Sequence, residues 1–333
     1  MANITVLGCG FGTALAVMLD SNGHKVTAWS KYQEEIDTIL KDREQKKLLP
    51  GVKIPESICF TADPSCVGGA DIIIVAIPSA YVRDGISRVK PYVSPESVIL
   101  NVGKGLEENT YNRLSQVISE EIPDNPVVVM AGPCHAEEVG RGVPTTVVVA
   151  SDYPDKAEYV QQTLMNSNFR IYVNEDVIGC EIAPALKNPI ALCCGIVEGM
   201  GLGDNTLAAL MTRGLTEITR LGVAMGAKWE TFTGLAGVGD LVVTCTSVHS
   251  RNHRAGILIG QGTEVEEAIK QVGTVEGYNC CKIVHSLSQV KGVPMPIIER
   301  LYSVCFMGES PKESVGSLMN RPKKNEKEQF WNN

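Results

Sequence analysis

The stretch Ile4-Thr5-Val6-Leu7-Gly8-Cys9-Gly10-Phe11-Gly12, followed by Leu15, Ala16 and Leu19 at helical spacing, decides the fold. A β-branched run of strand length passes through glycines straight into a helix. In that setting glycines let backbone amides approach a pyrophosphate at the helix N-terminus. The competing reading is a tight turn with no ligand, and position after the first strand favours the dinucleotide site. The spacing is G-x-G-x-G, one residue short of the usual G-x-G-x-x-G, so either the turn is tighter or one glycine has another job. Gly8, Gly10, Phe11 and Gly12 are the candidate cofactor contacts here.

Outward from this turn, short apolar runs alternate with helical stretches: Val26 to Trp29, Ile72 to Ile77, Val98 to Val102, Val127 to Met130 and Thr146 to Ala150. Alternation of this kind predicts a parallel sheet with crossover helices. Several runs are unbroken Val and Ile, as expected of strands covered on both faces. From about Glu181 the period changes, and Leu207, Leu210, Met211, Leu215 and Ile218 recur at three and four, the mark of a helix capped by Asp204 or Asn205. The fold class is therefore α/β, a Rossmann-type parallel-sheet domain over residues 1–178 followed by an all-helical domain over 179–333. The charged tail from Arg321 to Asn333 is expected to be disordered unless something docks it.

Composition narrows the function. A chain of 333 residues with 44% hydrophobic and 20% charged side chains builds sizeable cores, and its net charge of −8 argues against nucleic acid as partner. No uninterrupted apolar run approaches the length of a membrane span, and Met1-Ala2-Asn3-Ile4 has no charged leader ahead of an apolar stretch. A cytoplasmic protein is expected. Its 11 cysteines include the adjacent pairs Cys193-Cys194 and Cys280-Cys281 and no C-x-x-C, a pattern of reduced structural thiols without zinc.

Polar residues gather in a few glycine-rich or helix-starting segments. After the second strand, where an NAD-selective fold places an acid, the chain reads Trp29-Ser30-Lys31-Tyr32; Lys31 either meets a 2′-phosphate or points to solvent, so NAD and NADP both stay open. Lys104 and the Gly132 loop follow strands and should border the cofactor crevice. Lys187 lies between apolar Ala183 to Leu186 and Ile190 to Cys194, and a desolvated lysine has a lowered pKa suited to proton exchange. His249 and His253 are spaced like a metal pair, yet they stand beside Arg251 and Arg254 without carboxylates, which favours basic residues near a phosphate. His135, with no partner evident from spacing, borders the Gly132 loop.

Leu186-Lys187-Asn188, Gly201-Leu202-Gly203-Asp204-Asn205, Thr212-Arg213-Gly214-Leu215, Gly234 to Leu241, Thr244-Cys245-Thr246 and Ser250-Arg251-Asn252 occur in this order. Together with the glycine turn they make a chain that, from Val6 to about Gly316, closely resembles the bacterial-type NAD(P)-dependent glycerol-3-phosphate dehydrogenases. The resemblance implies interconversion of sn-glycerol 3-phosphate and dihydroxyacetone phosphate, which supplies glycerol phosphate for phospholipid synthesis. It makes Lys187 the acid/base at the C2 hydroxyl, with Asp240 orienting it and balancing its charge. Lys104 would touch cofactor and substrate, and Ser250, Arg251 and Asn252 would hold the phosphate, with Arg251 also near the cofactor. Gly132, Cys134 and Ala136 match the loop lining the site, and Thr274 and Glu276 the segment reaching the cofactor. The implied partner is this small-molecule substrate, no metal is required, and a homodimer is compatible with the reading.

Three departures stand out. The glycine turn is one residue short, Cys134 replaces the usual Ser or Thr with a weaker donor, and Gly273-Thr274-Val275-Glu276-Gly277 is also a residue short. Two rival functions are a Rossmann dehydrogenase acting on a hydroxy acid, which would prefer a carboxylate to a phosphomonoester, and a dinucleotide sensor without turnover. The Ser250-Arg251-Asn252 segment speaks against the first, and Lys187 with Asp240 against the second.

Overall fold

The computed structural model describes residues 1–326. The chain groups into two compact units, Met1–Glu181 and Ile182–Asn333. This division and the expected boundary at 178 fall inside one helix, Val177–Gly199.

The first unit contains strands β1 (Asn3–Leu7), β2 (Lys25–Trp29), β3 (Glu44–Gln45), β4 (Leu49–Lys53), β5 (Cys59–Thr61), β6 (Ile72–Val75), β7 (Val98–Asn101), β8 (Val127–Ala131), β9 (Thr145–Ser151) and β10 (Phe169–Asn174). Its helices are α1 (Phe11–Ser21), α2 (Gln33–Asp42), α3 (Val82–Val89), α4 (Leu114–Glu121), α5 (Ala136–Gly140) and α6 (Pro154–Leu164). The main sheet runs β10-β9-β8-β7-β6-β1-β2-β5, and β3 pairs only with β4. From β5 to β8 every pairing is parallel, and the strand order reverses at β1 and β6. That is the doubly wound Rossmann order with its ligand crevice at the reversal.

One expectation needs correcting. β9 runs antiparallel to β8, with Met130 opposite Val149, and β10 then pairs parallel with β9. The sheet is therefore mixed at one edge. A continuous valine run carries no information about direction, which is why the sequence did not separate the two cases.

Burial explains the unbroken apolar strands. Ile72, Ile73, Ile74 and Val75 are all fully buried; alternate residues go to opposite faces. Ile4, Val6, Ile72 and Ile74 pack with Leu15 and Leu19 of α1. Leu7, Ile73 and Val75 pack on the other side with Val82 and Ile86 of α3 and Val117 and Ile118 of α4. Each such side chain contributes about 1.5–3 kcal/mol relative to exposure.

In the second unit the described residues form α7 (Val177–Gly199), which begins in the first unit, then α8 (Asp204–Ala224), α9 (Trp229–Phe232), α10 (Asp240–Thr246), α11 (Arg251–Gly260), α12 (Val265–Val272), α13 (Glu276–Lys291), α14 (Pro296–Phe306) and α15 (Pro311–Met319). α8 is capped differently than expected. Gly203 holds the N-cap position without a side-chain bond, and Asp204 lies in the first turn, where a negative charge suits the helix dipole.

Helix α7 also revises the membrane reading. It is long and apolar enough to meet the length and composition of a span, as does the bent pair Trp229–Thr246 with Arg251–Gly260, and 94% of the α7 window is buried inside the protein. Its sequence has no uninterrupted apolar run of that length because Glu181, Lys187 and Asn188 break it. Residues 321–326 of the tail are exposed without helix or strand, and the rest of the expected disordered tail lies outside the described residues.

Candidate active site

Strand β1 delivers the glycine turn. Gly8 has φ +106°, and a Cβ there would stand 2.6 Å from the Ala76 carbonyl oxygen; a Cβ on Gly12 would stand 2.8 Å from Val6 Cγ1. The shortened turn thus keeps a glycine where the backbone must turn and another where α1 packs on the sheet. Gly10 is the N-cap residue of α1, and no side chain caps the helix. Its first turn can therefore offer backbone N–H groups and the positive end of the dipole to an anion. These residues fit a dinucleotide pyrophosphate.

Two further clusters in this unit follow from strand C-termini. Lys104, after β7, donates to the Gly132 carbonyl at 3.1 Å and reaches Cys134 Sγ at 3.6 Å, while the Cys134 thiol donates to the same carbonyl at 3.2 Å. Asn101 steers this turn, its Oδ1 accepting from Gly103 N at 3.1 Å. Ala136 begins α5, with His135 at its N-cap. Lys31, after β2, does not point freely to solvent: its ammonium pairs with Asp84 of α3 at 3.0 Å.

The helical unit holds the acid/base candidate. Lys187, 4% exposed, is enclosed with Asp240, 1% exposed. Its ammonium donates to Asp240 Oδ1, to Thr244 Oγ1 at 2.5 Å and to the Asp240 carbonyl at 3.3 Å. Thr244 donates in turn to the Asp240 carbonyl at 2.7 Å. Asp240 and Thr244 are four apart on α10 and share its face. The lysine is thus ion-paired as well as desolvated.

A second network fixes the phosphate candidates. Asn188, next to Lys187, accepts from Asn252 Nδ2 at 3.1 Å and donates to Glu276 Oε2 at 3.3 Å, while Asn252 Oδ1 accepts from Gly277 N at 2.8 Å. Asn252 and Glu276 are thereby tied to α7. Ser250 caps α11, its Oγ accepting from His253 N at 3.2 Å. Arg251 is exposed on the first turn of α11, and Thr274 is exposed just before α13. His253 Nε2 meets Glu198 Oε2 at 3.1 Å.

Glycines set α11 against α7. Cβ atoms on Gly195 and Gly256 would stand 2.0 Å from the His253 carbonyl oxygen and 2.2 Å from that of Leu192, and those on Gly199 and Gly260 would collide with the carbonyls of Ile257 and Ile196. Only bare backbone permits that approach. Sequence reasoning assigned no role to this pair of G-x-x-x-G segments, nor to Asn188 and Thr244. The four-residue spacing of each glycine pair, and of Thr244 from Asp240, was the available signal.

A Rossmann-order sheet with a glycine turn, in one chain with a helical unit that encloses a lysine–aspartate pair, defines the class of dinucleotide-dependent dehydrogenases with a helical second domain. Residues 3–157 match the N-terminal, and residues 176–316 the C-terminal, description of NAD-dependent glycerol-3-phosphate dehydrogenase. The chain belongs to this family. It is 49% identical over 331 residues to the glycerol-3-phosphate dehydrogenase [NAD(P)+] of Desulfitobacterium hafniense, covering 99% of this chain and 94% of that protein. With the protein of the same name from Moorella thermoacetica it shares 49% identity over 98% of each. The crystal structure of glycerol-3-phosphate dehydrogenase from Coxiella burnetii superposes with a TM-score of 0.92 at 35% identity, covering 96% of this chain and 99% of that one.

Proposed function

We propose that this protein interconverts sn-glycerol 3-phosphate and dihydroxyacetone phosphate with NAD or NADP, and so supplies glycerol phosphate for phospholipid synthesis. The observation that carries the reading is the buried Lys187–Asp240–Thr244 cluster in a chain of this family. When bound, the dinucleotide supplies the hydride acceptor or donor for substrate C2. Everything else is the work of side chains and backbone. In the reducing direction the Lys187 ammonium gives a proton to the C2 oxygen as the alcohol forms; in the oxidising direction the amine takes it back. Asp240 holds the ammonium in place and balances its charge, and Thr244 Oγ1 accepts a second of its N–H groups.

In this reading residues 1–178 bind the dinucleotide and residues 179–333 bear the substrate and acid/base groups. Gly8, Gly10, Phe11 and Gly12 hold the pyrophosphate, Lys31 lies toward the adenosine ribose, and Ala136, Thr274 and Glu276 contact the cofactor. Lys104 serves both molecules, beside Gly132 and Cys134. Ser250, Arg251 and Asn252 hold the phosphate at a helix N-terminus, with Arg251 suited by its planar fork to two oxygens at once. A homodimer and a cytoplasmic location belong to the same reading.

Lys187→Met tests it. The variant should bind NADH within a few-fold of the parent by calorimetry while turnover falls by about 10²–10⁴, the usual share of an acid/base residue. It leaves Asp240 buried without its cation, at a cost of about 3–5 kcal/mol, so circular dichroism must show it folded at the assay temperature. Near-normal turnover would remove Lys187 from the chemistry.

A further inference from the structure

The end of β2 lacks the acid that selects NAD in Rossmann folds, but an acid reaches that place from another element. Asp84, on α3, accepts from Lys31 Nζ at 3.0 Å. The same carboxylate accepts from Arg88 Nε at 3.1 Å and pairs with Arg88 Nη2 at 3.0 Å. The Lys31 ammonium also lies 5.3 Å from the ring centres of both Tyr32 and Tyr81. Those rings are 58% and 54% exposed, so the cluster is open to a ligand. Glu35, the nearby acid on α2, is engaged by Ser30 Oγ at 2.6 Å and Gln45 Nε2 at 3.1 Å. Arg88 first, then Lys31, hold the Asp84 carboxyl down at about 2, which keeps it an anion throughout the physiological range.

We propose that Asp84 sets the choice between NAD and NADP by acting as the counter-charge to Lys31, favouring the dinucleotide without a 2′-phosphate. The proposal rests on the reading that Lys31 lies toward the adenosine ribose. A 2′-phosphate carries about −1.5 to −2 charges near neutral pH. To reach Lys31 it must draw the ammonium from Asp84 and bring those charges beside a carboxylate. A 2′-hydroxyl leaves the ion pair intact. Removing the Asp84 charge frees the Lys31 ammonium for the phosphate.

The test is equilibrium binding of adenosine 2′,5′-bisphosphate and of AMP at low ionic strength to the parent chain, Asp84→Asn, and Asp84→Asn combined with Lys31→Ala. Asp84 is exposed on its helix, so the substitution spares the core. In Asp84→Asn the affinity for the bisphosphate relative to AMP should rise about fivefold, the scale of an exposed charge interaction, and the added Lys31→Ala should cancel the gain. The ratio of kcat/KM for NADPH to that for NADH should move in the same direction. An unchanged or falling ratio in Asp84→Asn would overturn the proposal, since Asp84 would then only position Lys31 for the phosphate. Failure of the parent chain to bind either nucleotide would instead remove the adenosine site on which the proposal stands.

Discussion

Glu217 shows how much one buried side chain can govern. It reaches from α8 to the start of α14, where its carboxylate accepts from Ile297 N at 2.9 and 3.0 Å and from Ile298 N at 3.4 Å. It serves as the cap of a helix whose first residue is Pro296. Burial outweighs these bonds and pushes its carboxyl from an ordinary 4.5 up to about 7. The unfolded chain therefore loses this proton at lower pH than the folded one. The stabilisation is complete below about pH 4.5 and is lost as pH rises through about 7, a change of about 3 kcal/mol. Urea denaturation between pH 5 and 8 should show stability falling in the parent and a flatter profile in Glu217→Gln; equal slopes would exclude Glu217 as the source. None of this was legible in sequence, because a glutamate in an amphipathic helix reads as a solvated face. Lys187 was legible because its apolar flanks marked it as buried, whereas Thr244 gained a role only once α10 was known to turn it toward Lys187.

At the scale of elements, α7 is the frame of the helical unit. It contains Pro184 and Pro189, and a proline cannot donate to the carbonyl four residues back. The Ala185 carbonyl left by Pro189 accepts instead from the Cys280 thiol of α13 at 3.3 Å. That thiol is buried, and desolvation first, with Glu276 nearby, pushes it up to about 12, which makes it a structural donor, not a nucleophile. The close approach of α11 gives a sharper test. Alanine normally improves on glycine inside a helix by about 1 kcal/mol, but in Gly256→Ala the new methyl would stand 2.2 Å from the Leu192 carbonyl oxygen. We expect a net loss of about 1–3 kcal/mol from overpacking in chemical denaturation, with KM for glycerol 3-phosphate rising more than the dinucleotide Kd. A gain in stability would mean the two backbones do not touch. The parallel strands were readable from unbroken Val and Ile runs, but β10 was not. Its exposed Arg170 and Tyr172 alternate with buried Phe169 and Ile171, so this edge strand has no unbroken apolar run.

For the molecule as a whole, the period changes from strand-length to helical near residue 180, since periodicity reports which kind of surface each segment buries. Specific chemistry was less accessible. A glycine turn identifies a dinucleotide fold, but the Lys31–Asp84 pair depends on α3 returning beside β2, which no local pattern encodes. The central claim is the reaction itself, and the most direct measurement is the oxidation of NADH, and separately NADPH, followed by absorbance on adding dihydroxyacetone phosphate, dihydroxyacetone or hydroxypyruvate to the purified protein. The account predicts rapid oxidation with dihydroxyacetone phosphate and at least one dinucleotide, and a loss of about 100-fold or more without the phosphate, whose binding energy helps align the reacting carbon. Reduction of hydroxypyruvate with no reaction of dihydroxyacetone phosphate would contradict it.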